Sequence, residues 1–516
     1  MTRNFFTVPL LAAAVAASVP AATKPKLVLA VVVDQFRYDY LTRFRSSYTG
    51  GLSKLLANGS VFTNAHYDHF PTVTAIGHST FMSGATPAIS GIIANDWFDR
   101  GSGKTVTSVT DKTAKILGGK GEGGASPRRL LVSTLGDELK IANGNTRVIG
   151  ISLKDRSAIL PAGHMADGAY WFDASDGTFV SSDYYFPDLP GWVRDFNAAR
   201  PADKYVGAEW KSGDGKVVYK KMAPTADAAF YKSIPATPYS NELIEAFSER
   251  AISAEQLGRH DSTDLLAVSF SGNDYVGHDF GPDSPQVRDM AIRVDHLLGK
   301  LFQYLDREVG MANVVVVLTA DHGVAPIPEV STARKMPGGR MTAGVIQSTV
   351  QAKLTEKYGE GKWVISPSEH SLYLNLTLMA EKKLNQTEVI ESAADAALTI
   401  PHVFRAYTRD QLSRGGLAAD QIGRRVFNGF YGQRGPDIMV LLEPNWLFGA
   451  KGTTHGTGFG YDTHVPIIFM GPGIKAGTFH QRIAPNDVAP TLATLLAVET
   501  PNGSVGRVLD EIFLRD

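Results

Sequence analysis

The 516-residue sequence contains no cysteine. That absence excludes disulfides and thiolate metal sites, so any bound metal must be held by nitrogen and oxygen ligands. No sign of charge predominates either. A formal net charge of −1 gives no electrostatic case for binding nucleic acid or a membrane surface, and positive charge at a site must be local. No internal repeat or low-complexity run is present, and past residue 22 no segment approaches a transmembrane helix. What is there is ordinary globular composition, 43% hydrophobic and 20% charged, in a chain long enough to bury a large core.

Residues 1–22 read as an export signal. Arg3 supplies a positive start, Phe5 to Val19 is apolar apart from Thr7 and Ser18, and Ala21-Ala22 offers small residues for cleavage. The apolar stretch is shorter than the roughly 20 residues of a membrane span; an uncleaved anchor is the alternative. Export without cysteine suits a periplasmic or secreted bacterial protein large enough to fold without staples.

Strand-like apolar runs recur at 27–33, 147–153, 265–271, 314–319, 437–442 and 466–470. Val287, Met290, Val294, Leu297, Leu298, Leu301 and Leu305 repeat at helical spacing over Ser284 to Arg307, with Pro285 at the first position. A second helix is expected from Asp487 to Val498. Alternating strands and helices predict an α/β fold on a mostly parallel sheet. Two stretches break the rhythm, about 160–245 and 326–435. Both are read as cap insertions beside the functional edge, with surface decoration as the alternative.

Six metal-ligand candidates stand where such a sheet exposes them. Asp34 closes the run Leu27 to Val33, Asp274 and His278 follow Leu265 to Phe270, and Asp321-His322 ends Val314 to Thr319. His455 lies in a Gly/Thr-rich stretch before Pro466 to Met470. Buried parallel strands read as continuous Val/Ile/Leu runs, and open α/β sheets bind ligands beyond their strands' carboxyl ends. Three Asp and three His there suit a pair of divalent ions. Between them lies Phe70-Pro-Thr-Val-Thr-Ala-Ile-Gly-His78. A threonine at a helix start has unpaired backbone N–H groups beside its hydroxyl, which makes Thr74 a nucleophile candidate. Taken by itself, Thr-x-Thr also reads as helix capping.

These stretches resemble the alkaline phosphatase superfamily, most closely its monomeric threonine-dependent bacterial phosphatases. The resemblance runs through Val32-Val-Asp-Gln-Phe-Arg-Tyr-Asp39, the Phe70–His78 segment, Gly91-Ile-Ile-Ala-Asn-Asp96, Ser152-Leu-Lys-Asp-Arg156, Asn273-Asp-Tyr-Val-Gly-His278, Thr319-Ala-Asp-His-Gly323 and Thr453-Thr-His-Gly456. It implies a three-layer sandwich over residues 23–516 and two zinc ions. One would be held by Asp274, His278 and His455, the other by Asp34, Asp321 and His322 with the Thr74 oxygen. Asn95, Lys154 and Arg156 would hold phosphoryl oxygens. Two cations reward a monoester dianion over a diester. The implied activity is therefore phosphate-monoester hydrolysis through a phosphothreonine, by a monomer with no nucleic-acid partner and no stable membrane association once the signal is cleaved. A phosphodiesterase or nucleotide pyrophosphatase on the same core is the runner-up. A non-catalytic metal- or phosphate-binding relative would be expected to lack a ligand or the nucleophile, and none is missing.

Overall fold

The first strand, Leu27–Val33, shows why the sheet sits at the centre. Leu27, Leu29, Val31 and Val33 point into one apolar cluster, and Val28, Ala30 and Val32 into another on the opposite face. A strand covered on both faces has no polar side, so its sequence is apolar throughout. The computed structural model describes residues 24–119, 123–365, 368, 370–416 and 419–514; the expected export signal lies outside the described residues.

The main sheet has ten strands, in the order Gly477–Phe479, Ser60–Phe62, Ile467–Met470, Val314–Thr319, Leu27–Val33, Asp264–Phe270, Val148–Ser152, Gly168–Asp173, Thr178–Ser182 and Ile116–Leu117. The stretch from Val314–Thr319 to Gly168–Asp173 is parallel. The long helices Pro238–Ala254 and Pro285–Glu308 supply one covering layer, and Leu135–Ala142 with Val488–Leu496 supply the other. Ser284 caps its helix by accepting from Val287 N–H, with Pro285 at the first turn as the sequence predicts.

Two strand-like runs are strands whose direction and sheet the sequence leaves open, and one expectation, about 160–245, needs correction. The 466–470 run is antiparallel to its neighbours. The 437–442 run lies outside the main sheet, in a three-stranded antiparallel sheet with Ser371–Leu372 and Val403–Thr408. The first expected insertion, 160–245, is partly the main sheet itself: Gly168–Asp173 and Thr178–Ser182 extend it as a parallel strand and its returning hairpin. Aromatic residues such as Tyr170 and Phe179 look irregular in sequence because they fill the core against Phe247 and Trp192. The second stretch does form a separate lobe. Its helices Val345–Tyr358 and Gln386–Leu398 cover the three-stranded sheet around an apolar cluster of its own.

Candidate active site

Strand direction decides which residues meet. Asp34, Asp274, Asp321 and Lys154 follow parallel strands and so emerge at the same carboxyl edge. His455 precedes an antiparallel strand, whose amino end lies at that same edge because Ile467 pairs with Thr319. Thr74 opens the helix Thr74–Ser83 downstream of Ser60–Phe62, which is antiparallel to Ile467–Met470 and so points the same way as the central strands. The helix packs hard on the edge: a Cβ at Gly77 would lie 2.2 Å from the Asp321 carbonyl oxygen.

Every histidine of the cluster is oriented by a carbonyl. Nδ1 of His278 donates to Thr453 O at 2.8 Å, Nδ1 of His322 to Gly323 O at 2.9 Å, and Nδ1 of His455 to Thr72 O at 2.8 Å. A carbonyl only accepts, so in the neutral form of each ring it is Nε2 that carries the lone pair a metal needs. Two donor groups result, Asp34–Asp321–His322 and Asp274–His322–His455, with ligand atoms within 4.8 Å of one another. His278 joins the second through Nε2, 3.1 Å from Asp274 Oδ1. His322 stands between the groups, its ring stacked on His455 at 3.5 Å.

A tetrahedral zinc with bonds of about 2.0–2.1 Å holds its ligand atoms roughly 3.3 Å apart. Nε2 of His322 is 3.6 Å from Asp34 Oδ1 and 3.3 Å from Asp321 Oδ2; Asp274 Oδ1 is 3.1 Å from His278 Nε2 and 3.7 Å from His455 Nε2. Asp34 Oδ1 and Asp321 Oδ2 are also buried with no hydrogen-bond donor among the described residues. Buried carboxylate oxygens demand a partner, and a cation between them is the partner this donor set fits. It favours His322 with Asp34 and Asp321, and His278 with Asp274 and His455.

The electrostatics differ from residue to residue. Burial, reinforced by Asp321, pushes the Asp34 carboxyl up to about 7. Burial takes His322 down to about 4, and with His322 and His278 nearby it takes His455 well below its ordinary value. Both are thus neutral, the ligating form. Burial would raise Asp274, but Lys154 and His278 outweigh it and hold the carboxyl well below its usual range. For His278 the lowering by burial is overridden by Asp274, to about 9.

Thr74 Oγ1 lies 3.5 Å from His322 Nε2, at the mouth of the Asp34 group. The Thr72 hydroxyl, by contrast, is committed to Thr457 O at 2.8 Å. Asn95 accepts from Ala75 N–H through Oδ1 at 2.8 Å, which pins its amide beside the helix start. Lys154 reaches the same edge. Its buried Nζ bridges Asp34 Oδ2 and Asp274 Oδ2, 2.7 Å from each, above the Tyr275 ring. Arg156 is half-buried, with Asp155 3.6 Å away and a buried Nε that has no partner among the described residues. His78 sits on the helix Thr74–Ser83, between Thr74 O and Ser269 Oγ, while His164 and His464 bond to the carbonyls of Val132 and Thr63.

Three residues escaped the sequence reading. Tyr67 OH donates to Ala320 O at 2.9 Å, joining the nucleophile segment to the Asp321 turn. Arg425, from the separate lobe, donates to the carbonyls of Tyr67 and Gly458. Gln35 contacts both Asp274 and Asp321. Only Gln35 carried a signal, its place directly after a ligand.

The family model described as Type I phosphodiesterase / nucleotide pyrophosphatase matches residues 28–464. The chain is 37% identical to alkaline phosphatase PafA of Elizabethkingia meningoseptica, covering 96% of each. It is also 37% identical to a Myroides odoratus protein named calcium-transporting ATPase, over 95% of this chain and 94% of that one. The crystal structure of PafA superimposes with a TM-score of 0.89 at 36% identity, over 96% of this chain and all of the other. A PafA variant substituted at one threonine, one asparagine, one lysine and one arginine gives 0.88 at 35% identity, with 96% and 100% coverage. Its threonine and asparagine have the same separation as Thr74 and Asn95, and its lysine and arginine the same as Lys154 and Arg156. This chain belongs to the type I phosphodiesterase / nucleotide pyrophosphatase family of the alkaline phosphatase superfamily, and within it to the alkaline phosphatases.

Proposed function

We propose that this chain is an exported, zinc-dependent alkaline phosphatase that hydrolyses small phosphate monoesters through a phosphothreonine at Thr74, as a monomer. The observation that carries the reading is the Thr74 hydroxyl. It stands 3.5 Å from His322 Nε2, beside two donor groups whose spacing suits a divalent ion each. Asp34, Asp321 and His322 would hold one zinc, and Asp274, His278 and His455 the other. Such ions supply Lewis-acid stabilisation of negative charge developing on oxygen. The three imidazoles favour zinc over magnesium or calcium.

The chain's own groups do the rest. Asn95 and the first-turn N–H groups orient the phosphoryl oxygens against the helix start. Arg156 and Lys154 bring positive charge to the same space. Thr74 Oγ attacks phosphorus and loses its proton as the ester oxygen departs with the alcohol. Water then attacks the phosphothreonine, releasing inorganic phosphate and restoring the hydroxyl. A monoester offers more charged non-bridging oxygens than a diester, so two cations favour it.

The family description also names diesterases. Rates on p-nitrophenyl phosphate and bis-p-nitrophenyl phosphate, with metal content measured on the same preparation, test the reading. A preference for the monoester with two zinc ions per chain is expected; a large preference for the diester would overturn it. Export rests on the 1–22 pattern, and amino-terminal sequencing of the periplasmic protein checks the cleavage.

A further inference from the structure

Gln35 follows Asp34 at the end of the first strand, is buried, and has φ = +61°. A non-glycine residue held in this left-handed conformation is strained and persists only where its surroundings over-determine it. The turn has a visible result. The Gln35 N–H donates to Asp321 Oδ1 at 3.0 Å, and its side-chain Nε2 donates to Asp274 Oδ1 at 2.6 Å. Those carboxylates follow the two strands that flank the first on either side. Gln35 therefore spans the two donor groups.

The amide grips the oxygen that matters. Asp274 Oδ1 is also the atom 3.1 Å from His278 Nε2 and 3.7 Å from His455 Nε2, while Oδ2 is taken by Lys154. With both oxygens held, rotating the carboxylate would break these contacts and carry Oδ1 away from the two imidazoles. The amide is held in turn. A Cβ at Gly277, on the helix Gly272–Phe280 that carries Asp274 and His278, would come within 1.8 Å of Gln35 Oε1. Only hydrogen at that position leaves space for the side chain.

We propose that the Gln35 amide is a positioning residue. It fixes Asp274 for the second metal group, and its backbone donor ties that group to Asp321 of the first. The inference rests on the ligand assignment above. Gln35 acts through Asp274 and touches no substrate.

Gln35→Gly is the decisive variant. Glycine takes positive φ freely and keeps the N–H to Asp321, so the side chain is removed while the backbone donor stays. Gln35→Met keeps length without a donor. Zinc stoichiometry and affinity, read by competition with a chromophoric chelator, should show one of two ions weakened about ten- to a hundred-fold in both variants. The other ion should keep wild-type affinity, and activity lost at limiting zinc should return in excess zinc. Two unchanged affinities in Gln35→Gly would overturn the proposal, as would equal weakening of both ions. Asp274→Asn separates the two claims: if it binds both ions as tightly as wild type, the ligand assignment falls and this inference with it. If Asp274→Asn weakens one ion and Gln35→Gly weakens none, Gln35 alone is refuted.

Discussion

Lys154 Nζ lies 2.7 Å from Asp34 Oδ2, both atoms buried, and an equal distance from Asp274 Oδ2. One ammonium thus faces a carboxylate of each donor group. Burial opposes its charge, yet Asp274 and Asp34 hold the lysine above its ordinary value. Lys154→Met should lower kcat/KM for a phosphate monoester by about a hundred-fold or more, the scale of removing one charge-stabilising donor, and lower diester hydrolysis less. Parallel steady-state kinetics on the two ester classes check this; equal losses would remove the lysine from monoester selection.

Thr74→Ala should lower kcat by at least about a thousand-fold, as removal of a nucleophile does, while Thr74→Ser retains measurable turnover because the hydroxyl survives. Acid-quenched mass spectrometry should find phosphate on Thr74 of the wild type and none on the alanine variant. Phosphate on Thr72 would redirect the mechanism, against the commitment of that hydroxyl to Thr457 O.

Arg425 reaches from the helix Gln421–Gly429 into two loops at once, donating to Tyr67 O at 3.1 Å and to Gly458 O. The same helix approaches so closely that a Cβ at Gly429 would lie 1.6 Å from Phe70 O. Arg425→Met leaves buried carbonyls unpaired, at roughly 1–3 kcal/mol each. Hydrogen exchange should speed up over 67–74 and 453–458 together, with kcat reduced. Exchange confined to 421–429 would show that the lobe does not brace the site.

Glu245, on the helix Pro238–Ala254, has a buried Oε1 with no hydrogen-bond partner among the described residues, although Lys300 Nζ is 2.8 Å from Oε2. Burial, then Glu249, raises its carboxyl from 4.5 to about 7. Between those values the folded state binds the extra proton, so stability from this group is present below pH 4.5 and is lost as pH rises through 7. Glu245→Gln cannot titrate and should gain stability relative to wild type across that window. Urea unfolding at pH 5 and pH 8 measures the gain; no change in the difference between the two proteins would sink the expectation.

Much of this site was legible because it lies at strand ends. Val314 to Thr319 announces a buried strand, and Asp321-His322 must then appear at its edge. His455 was found by its glycine-rich neighbourhood; the strand after it is antiparallel, which the apolar run Pro466 to Met470 does not reveal. The stretch 160–245 misled for a related reason. Its strands carry Tyr, Trp and Phe in place of Val and Ile, and they join the sheet by pairing with Ile149 to Ser152, a choice made outside the segment.

Side-chain roles set by distant partners were not legible. The two carboxylates that hold Lys154 lie 120 residues before it and 120 residues after it. Gln35 reaches acids 239 and 286 residues further along. The order of apolar runs, the absence of cysteine and the residue types at strand ends determined the layered α/β fold and the nitrogen–oxygen donor set, because burial and ligand chemistry are properties of residue type. Tertiary structure decided strand direction, which imidazole nitrogen faces inward and which donor holds each carboxylate, because hydrogen bonds depend on distance and angle between groups the chain brings together only when folded.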